Sequence, residues 1–118
     1  MTMNIKKVRQ ILKSFADDTR LRIVNLLSKG GLSVNQICEV FGKNQSIISK
    51  HLTRLRLTGI VVDKRKGMNV YYYLAKPVGK EYEEILNAVT VGLEDLNIFK
   101  QDLERVKLVK KQEKQFNK

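Results

Sequence analysis

The stretch NQSIISKHLTRLRLTGIV, Asn44 to Val61, carries two patterns on one helix. Ile48, Leu52 and Leu55 stand at i, i+4 and i+7, an inward apolar stripe. Gln45, Ser46, Ser49, Lys50, Thr53 and Arg54 then fall towards the outer side. A helix that enters a duplex groove needs short side chains where backbone and nucleic acid approach closely. It also needs amides or guanidinium groups to read base edges, and cations to meet phosphates. Ser46 and Ser49 suit the first need, Gln45 and Arg54 the second, and Lys50 the third. Lys43 and Asn44, which lead into the helix, and His51 within it complete the candidate DNA-facing set. For His51 a DNA-facing or helix-packing role is favoured over metal binding. A solvated helix face with no partner is the competing reading, and the basic run just downstream weighs against it.

The elements that must position this helix follow from periodicity. Ile5, Val8, Ile11, Leu12 and Phe15 predict a first helix. Asp17 or Asp18 caps a second, with Leu21, Ile23, Val24, Leu26 and Leu27, which ends at Gly30-Gly31. SVNQICEVFG is a short third helix, with Ser33 as N-cap and Gly42 as its stop. Asn44 or Ser46 starts the fourth helix, and Gly59 closes it. The period then changes to that of strands, Ile60 to Lys64 and Asn69 to Ala75. Lys64, Arg65, Lys66 and Gly67 form the bend between them, a hairpin with a basic tip assigned to phosphates. Pro77 and Gly79 interrupt, and one long helix follows from about Lys80. Its seam of Tyr82, Ile85, Val89, Leu96, Phe99, Leu103 and Val106 approximates a heptad, with Gly92 at one seam position.

The predicted order is ααααββα: mainly α with a β-hairpin (α+β), a winged helix-turn-helix. Residues 1–118 form one domain, with the helix-turn-helix at about 33–58, the wing at about 60–75, and dimerisation helices at about 4–15 and 80–110. The last helix is too apolar along its seam to stand alone in water. A self-complementary homodimer interface is therefore expected from Ile5, Val8, Leu12, Ile85, Val89, Leu96, Phe99 and Leu103.

The charge balance agrees with a polyanionic partner. Lys and Arg number 23 against 12 Asp and Glu, a formal net charge of +11. A lone cysteine, Cys38, excludes an intramolecular disulfide and suits a reducing compartment. No run approaches a membrane span, and the N-terminus has no continuous apolar signal segment, so a cytoplasmic location is expected. An enzyme is disfavoured, because there is no nucleophile–base pair and no phosphate-binding or dinucleotide fingerprint.

FADDTRLRIVNLL followed by LSVNQICEVFGKNQSIISKHLTRLRLTGIVVDKRKGMNVYYYL resembles the ArsR family of bacterial and archaeal repressors. The matching pieces are Asp18-Thr19-Arg20-Leu21-Arg22-Ile23, Gln45-Ser46, Ser49, His51-Leu52, Leu55-Arg56, Gly59-Ile60-Val61, and Gly67 with Val70-Tyr71-Tyr72. They lie between Phe15 and Leu74, about two-thirds of the chain. The resemblance implies a homodimer packed through first and last helices, the Gln45–Arg54 helix in the major groove of double-stranded DNA, and a wing on the backbone. It also implies release of DNA when an inducer, often a metal ion, binds.

The metal pattern departs from the family. Arsenic-responsive members carry Leu-Cys-Val-Cys-Asp-Leu-Cys on the third helix, where this chain reads Leu32-Ser33-Val34-Asn35-Gln36-Ile37-Cys38. A soft-metal site needs at least two thiolates, and one remains. Zinc- and nickel-sensing members use Asp, Glu and His on the last helix, which here has acids but no histidine. No metal site and no cofactor are expected, and the inducer is left unnamed. Cys38 reads as a small buried apolar residue rather than a thiol switch. Two alternatives stand beside the operator-binding repressor: a protein- or RNA-interaction winged-helix module without operator specificity, and a DNA-binding protein with no small-molecule trigger.

Overall fold

The structure, a computed structural model, describes residues 3–116. The elements run α1 (Ile5–Phe15), α2 (Asp18–Leu27), β1 (Leu32–Ser33), α3 (Val34–Phe41), α4 (Gln45–Leu57), β2 (Val61–Lys66), β3 (Asn69–Leu74), α5 (Lys80–Thr90) and α6 (Asn97–Phe116). Side-chain oxygens start the first four helices. Asn4 accepts from the N–H of Lys7, Asp17 from Arg20, and Asn44 from Ile47. Ser33 and Gln36 close a reciprocal capping box on α3. Asp17 and Asn44, rather than Asp18 and Ser46, are therefore the caps. Ile23, Ile37, Ile48, Leu52, Leu55 and Ile60, all fully buried, join α2, the α3–α4 pair and the start of the hairpin in one core.

The hairpin is longer than its sequence suggests. β2 runs through Lys66, so Lys64, Arg65 and Lys66 are strand residues and not a flexible bend. The turn is Gly67-Met68, and Gly67 takes a φ of 62°, which the first loop position of a tight hairpin turn needs and glycine supplies without strain. Charged side chains tolerate a strand where cross-strand partners pair the backbone, so polarity alone misplaces its end. A further strand, β1, has no counterpart in the expected order. Leu32 and Ser33 pair with Tyr72 and Tyr71, giving a three-stranded antiparallel sheet of order β1-β3-β2. Two residues are too short to show a period, and they pair because β3 offers a free edge. The ring of Tyr73 lies where a Cβ on Gly31 would project, so glycine there permits the close approach.

The C-terminal part corrects the expected single helix from Lys80. α5 ends at Thr90, residues 91–96 turn, and the long helix α6 begins at Asn97. Gly92 sits in this break, where its low helix propensity ends the run that its seam position was expected to continue. The break folds α6 back over α2 and α3. Phe99, assigned by its spacing to the dimer seam, is instead 2% exposed inside its own protomer, and Val109 also joins the core. Leu103 and Val106 pack against that core. Buried Asp102 receives both Nε (2.9 Å) and Nη2 (2.8 Å) of Arg22, whose guanidinium also lies 4.5 Å from the centroid of Phe41. This bidentate pair joins α6 to α2.

Candidate nucleic-acid interface

With Ile48, Leu52 and Leu55 pointing inward, the opposite stripe of α4 is Ser46, Lys50, Thr53 and Leu57, of which Ser46, Thr53 and Leu57 are exposed and Lys50 lies at the surface among them. Gln45 and Ser49 lie on the flank towards the wing. They line a cleft of about 340 Å³ with Asp63, Met68, Asn69 and Tyr72 of the hairpin. Ile47 and Arg54 lie on the other flank, beside Arg20 and His51. Asn44 spends its side-chain oxygen on the helix cap, 3.0 Å from the N–H of Ile47, and Lys43 immediately precedes it. Leu57 is 75% exposed on the outer stripe, a place that the sequence reading did not assign to it.

His51 is turned away from the outermost stripe. Its Nδ1 is 3.3 Å from Nη1 of Arg20 and 3.7 Å from Oδ2 of Asp17. Burial lowers its pKa, with the Asp17 carboxylate opposing and Arg20 and Lys43 reinforcing the fall. The imidazole therefore packs against the start of α2.

Arg20 is a second residue whose part the sequence did not reveal. Its Nε donates to the carbonyl of Ser14 at 2.6 Å and its Nη2 to that of Lys13 at 3.4 Å, so one guanidinium caps α1 and touches α4. At the other end of α4, Lys7 Nζ donates to the carbonyl of Thr58 (3.1 Å) and the Ser14 hydroxyl to Thr58 Oγ1 (3.1 Å). Arg20 and α1 thus hold α4 at its middle and at its end. These links join residues far apart in sequence, and periodicity carries no sign of them.

The wing separates its three cations by face. Pairing sets Asp63 opposite Tyr72 and Arg65 opposite Val70 on the side turned towards α4. Lys64 pairs with Tyr71 and Lys66 with Asn69 on the other side. There Lys64 Nζ lies 5.4 Å from the Tyr73 centroid, and Lys66 Nζ lies 5.7 and 5.5 Å from those of Tyr71 and Tyr73. The nearby Tyr73 side chain, more than any other group, raises the pKa of Lys66. Of the three, Arg65 shares the side of Gln45 and Ser49.

The residues assigned to dimerisation divide. Ile5 and Leu12 are exposed on α1, around a shallow apolar surface shared with Val8, and Leu96 is exposed in the turn before α6. Ile85 and Val89 of α5 and Leu103 of α6 are half-buried against the core, and Phe99 is buried. Among the described residues, no three of His, Cys, Asp and Glu come together as a cation would require. Cys38 is half-buried, and burial pushes its thiol pKa up. No helix among the described residues is long and apolar enough to cross a membrane.

A helix-turn-helix whose second helix presents hydroxyls, amides and cations, flanked by a basic hairpin, defines the winged helix-turn-helix class of DNA-binding regulators. The profile of the bacterial regulatory protein, arsR family, matches residues 17–62. The transcriptional repressor SdpR of Bacillus subtilis is 32% identical over 90 residues, which cover 75% of this chain and 100% of SdpR. The chain belongs to the arsR family. The arsenic resistance transcriptional regulator ArsR1 of Pseudomonas putida is 39% identical over 80 residues, covering 67% of this chain but only 62% of that relative. A homodimeric winged helix-turn-helix DNA-binding domain from Mycobacterium bovis superposes with a TM-score of 0.63 at 29% identity, covering 79% of this chain and 87% of that domain.

Proposed function

We propose that this regulator acts as a homodimeric repressor that reads a palindromic duplex operator. The observation that carries the reading is the alignment of three groups on one side of the molecule. These are the Ser46–Lys50–Thr53 stripe, the Gln45 and Ser49 flank, and Arg65 on the facing side of the wing. Gln45 and Arg54 supply hydrogen-bonding groups for base edges, Ser46 and Ser49 allow close approach, and Lys50 and Arg65 meet phosphates. Lys64 and Lys66 serve the same backbone from the outer face of the hairpin. A second copy covers the apolar surface of α1, as the homodimeric relative suggests, and brings two recognition helices to half-sites about one helical turn (roughly 34–36 Å) apart. SdpR, which this chain matches over its whole length, is a transcriptional repressor.

A soft metal held by a thiolate cluster does not release this regulator from its operator. Ser33 and Asn35 occupy two of the positions where arsenic-responsive members carry thiols, and Cys38 stands alone. Titrating arsenite, cadmium or zinc into a protein–operator complex should leave it intact, and dissociation at micromolar metal would overturn this point.

Selection from random duplexes, followed by footprinting, tests the main reading. The expected result is an inverted repeat bound far more tightly than random duplex. Equal binding of random duplex, or a preference for RNA or a protein surface, would replace it with the interaction-module reading.

A further inference from the structure

The lysine-rich end of α6 lies outside residues 17–62, where the arsR-family profile matches, and operator reading by α4 and the wing makes no use of it. Its position follows from two contacts. Arg105 Nη1 donates to the carbonyl of Val40, near the end of α3, at 3.3 Å. Gln36 Nε2, in the first turn of α3, donates to Glu113 at 2.9 Å. Numbers rise along α6 as they fall along α3, so the helices run antiparallel and the last turns of α6 arrive at the start of α3. There Ser33, Val34 and Asn35 line the cleft that Gln45 and Ser49 of α4 share with the wing. The end of α6 therefore reaches the same edge of the molecule as the recognition helix and the hairpin.

Positive charge is what α6 brings there. Between Lys107 and Lys114 the helix has four lysines and one carboxylate, Glu113, which Gln36 engages. Lys107 pairs with Glu104 at 3.2 Å. Among the described residues Lys110, Lys111 and Lys114 have no carboxylate partner, and all three are exposed. By contrast Lys29, Lys80 and Lys100 lie within 4.0 Å of Glu94, Glu84 and Asp95. Buried Val109 and half-buried Val106 hold α6 by its apolar side while the unpaired ammonium groups project.

We infer that Lys110, Lys111 and Lys114 form an additional phosphate-binding arm, which grips the duplex backbone flanking each half-site. The inference rests on the operator reading and extends it. Point charges on flexible stems attract phosphates without base geometry, so the arm adds affinity and lengthens the bound site while leaving the choice of sequence to α4.

The test compares the full-length protein with a Lys110→Gln, Lys111→Gln, Lys114→Gln variant, which removes charge but keeps helix propensity and the apolar side of α6. Both are titrated at several salt concentrations on the selected operator, with short and long flanks, and on random duplex. The expected result is a shallower salt dependence by about 0.9 for each phosphate no longer neutralised, up to about 5 for the six lysines of a dimer. Operator and random duplex weaken alike, and the benefit of long flanks disappears. Lys114→Gln alone, expected to lower the slope by about 2 per dimer, covers the case in which the triple variant folds poorly. Substituting Lys29, Lys80 and Lys100 by Gln removes the same charge and should leave the slope close to wild type. An unchanged slope in the arm variants while Arg65→Ala lowers it would overturn the inference, as would equal losses in the two triple variants. A wild-type protein with no operator preference would instead refute the operator reading, and the arm with it.

Discussion

His51, the only imidazole in the chain, lies between Asp17 and Arg20. Burial lowers its pKa below the ordinary 6.5, and protonation would set a second cation 3.3 Å from the Arg20 guanidinium. A group with a depressed folded-state pKa contributes stability above its unfolded value, and that contribution is lost as pH falls through the folded value. Chemical denaturation at about pH 7.5 and about pH 5.5 should therefore show lower stability at the acid end, and His51→Gln should flatten the difference. A wild-type difference as small as the variant's would refute this account of the imidazole. At the same scale, Gln45 and Arg65 should fail differently. Gln45→Ala should cost about 1–3 kcal/mol on the operator and narrow its advantage over random duplex. Arg65→Ala should weaken both duplexes alike and lower the salt slope by about one for each phosphate it meets. Competition binding on the two duplexes separates these outcomes.

Among the elements, α6 depends most on a single pair. Asp102 is fully buried and holds Arg22 in two hydrogen bonds. Asp102→Ala leaves a partly buried guanidinium without its carboxylate, at a cost of about 2–4 kcal/mol, between the loss of a charged hydrogen bond and the breaking of a buried pair. Urea denaturation of the variant measures it, and a loss under about 1 kcal/mol would mean that the pair adds little to the hold of the apolar side of α6, chiefly Phe99 and Val109. α4 is less exposed to such single losses. Arg20 and His51 secure its middle, while Lys7 and Ser14 secure its end through Thr58.

For the whole molecule, the exposed α1 surface predicts association. Leu12→Asp places a charge on that surface and should shift sedimentation at micromolar concentration from dimer towards monomer, with weaker operator binding as a consequence. A variant that sediments as the wild type would move the interface elsewhere. Much of this architecture was legible in the chain. Helical periods located α1 to α4, with Ser33 named as the cap of α3 and two candidate caps each for α2 and α4; the stripe of α4 followed from Ile48, Leu52 and Leu55, and Ser33 and Asn35 revealed the departure from the thiolate pattern. These are local properties, because a cap or an amphipathic stripe is decided within a few residues. Other features needed the third dimension. Strand pairing extended β2 through its cations and divided Lys64 and Lys66 from Arg65. The break around Gly92 turned Phe99 from an expected dimer contact into core. Antiparallel packing of α6 on α3 brought a C-terminal lysine cluster to the edge occupied by α4 and the wing. Each depends on contacts between residues distant in sequence, whose energy comes from what the fold brings together and not from the residues' own propensities.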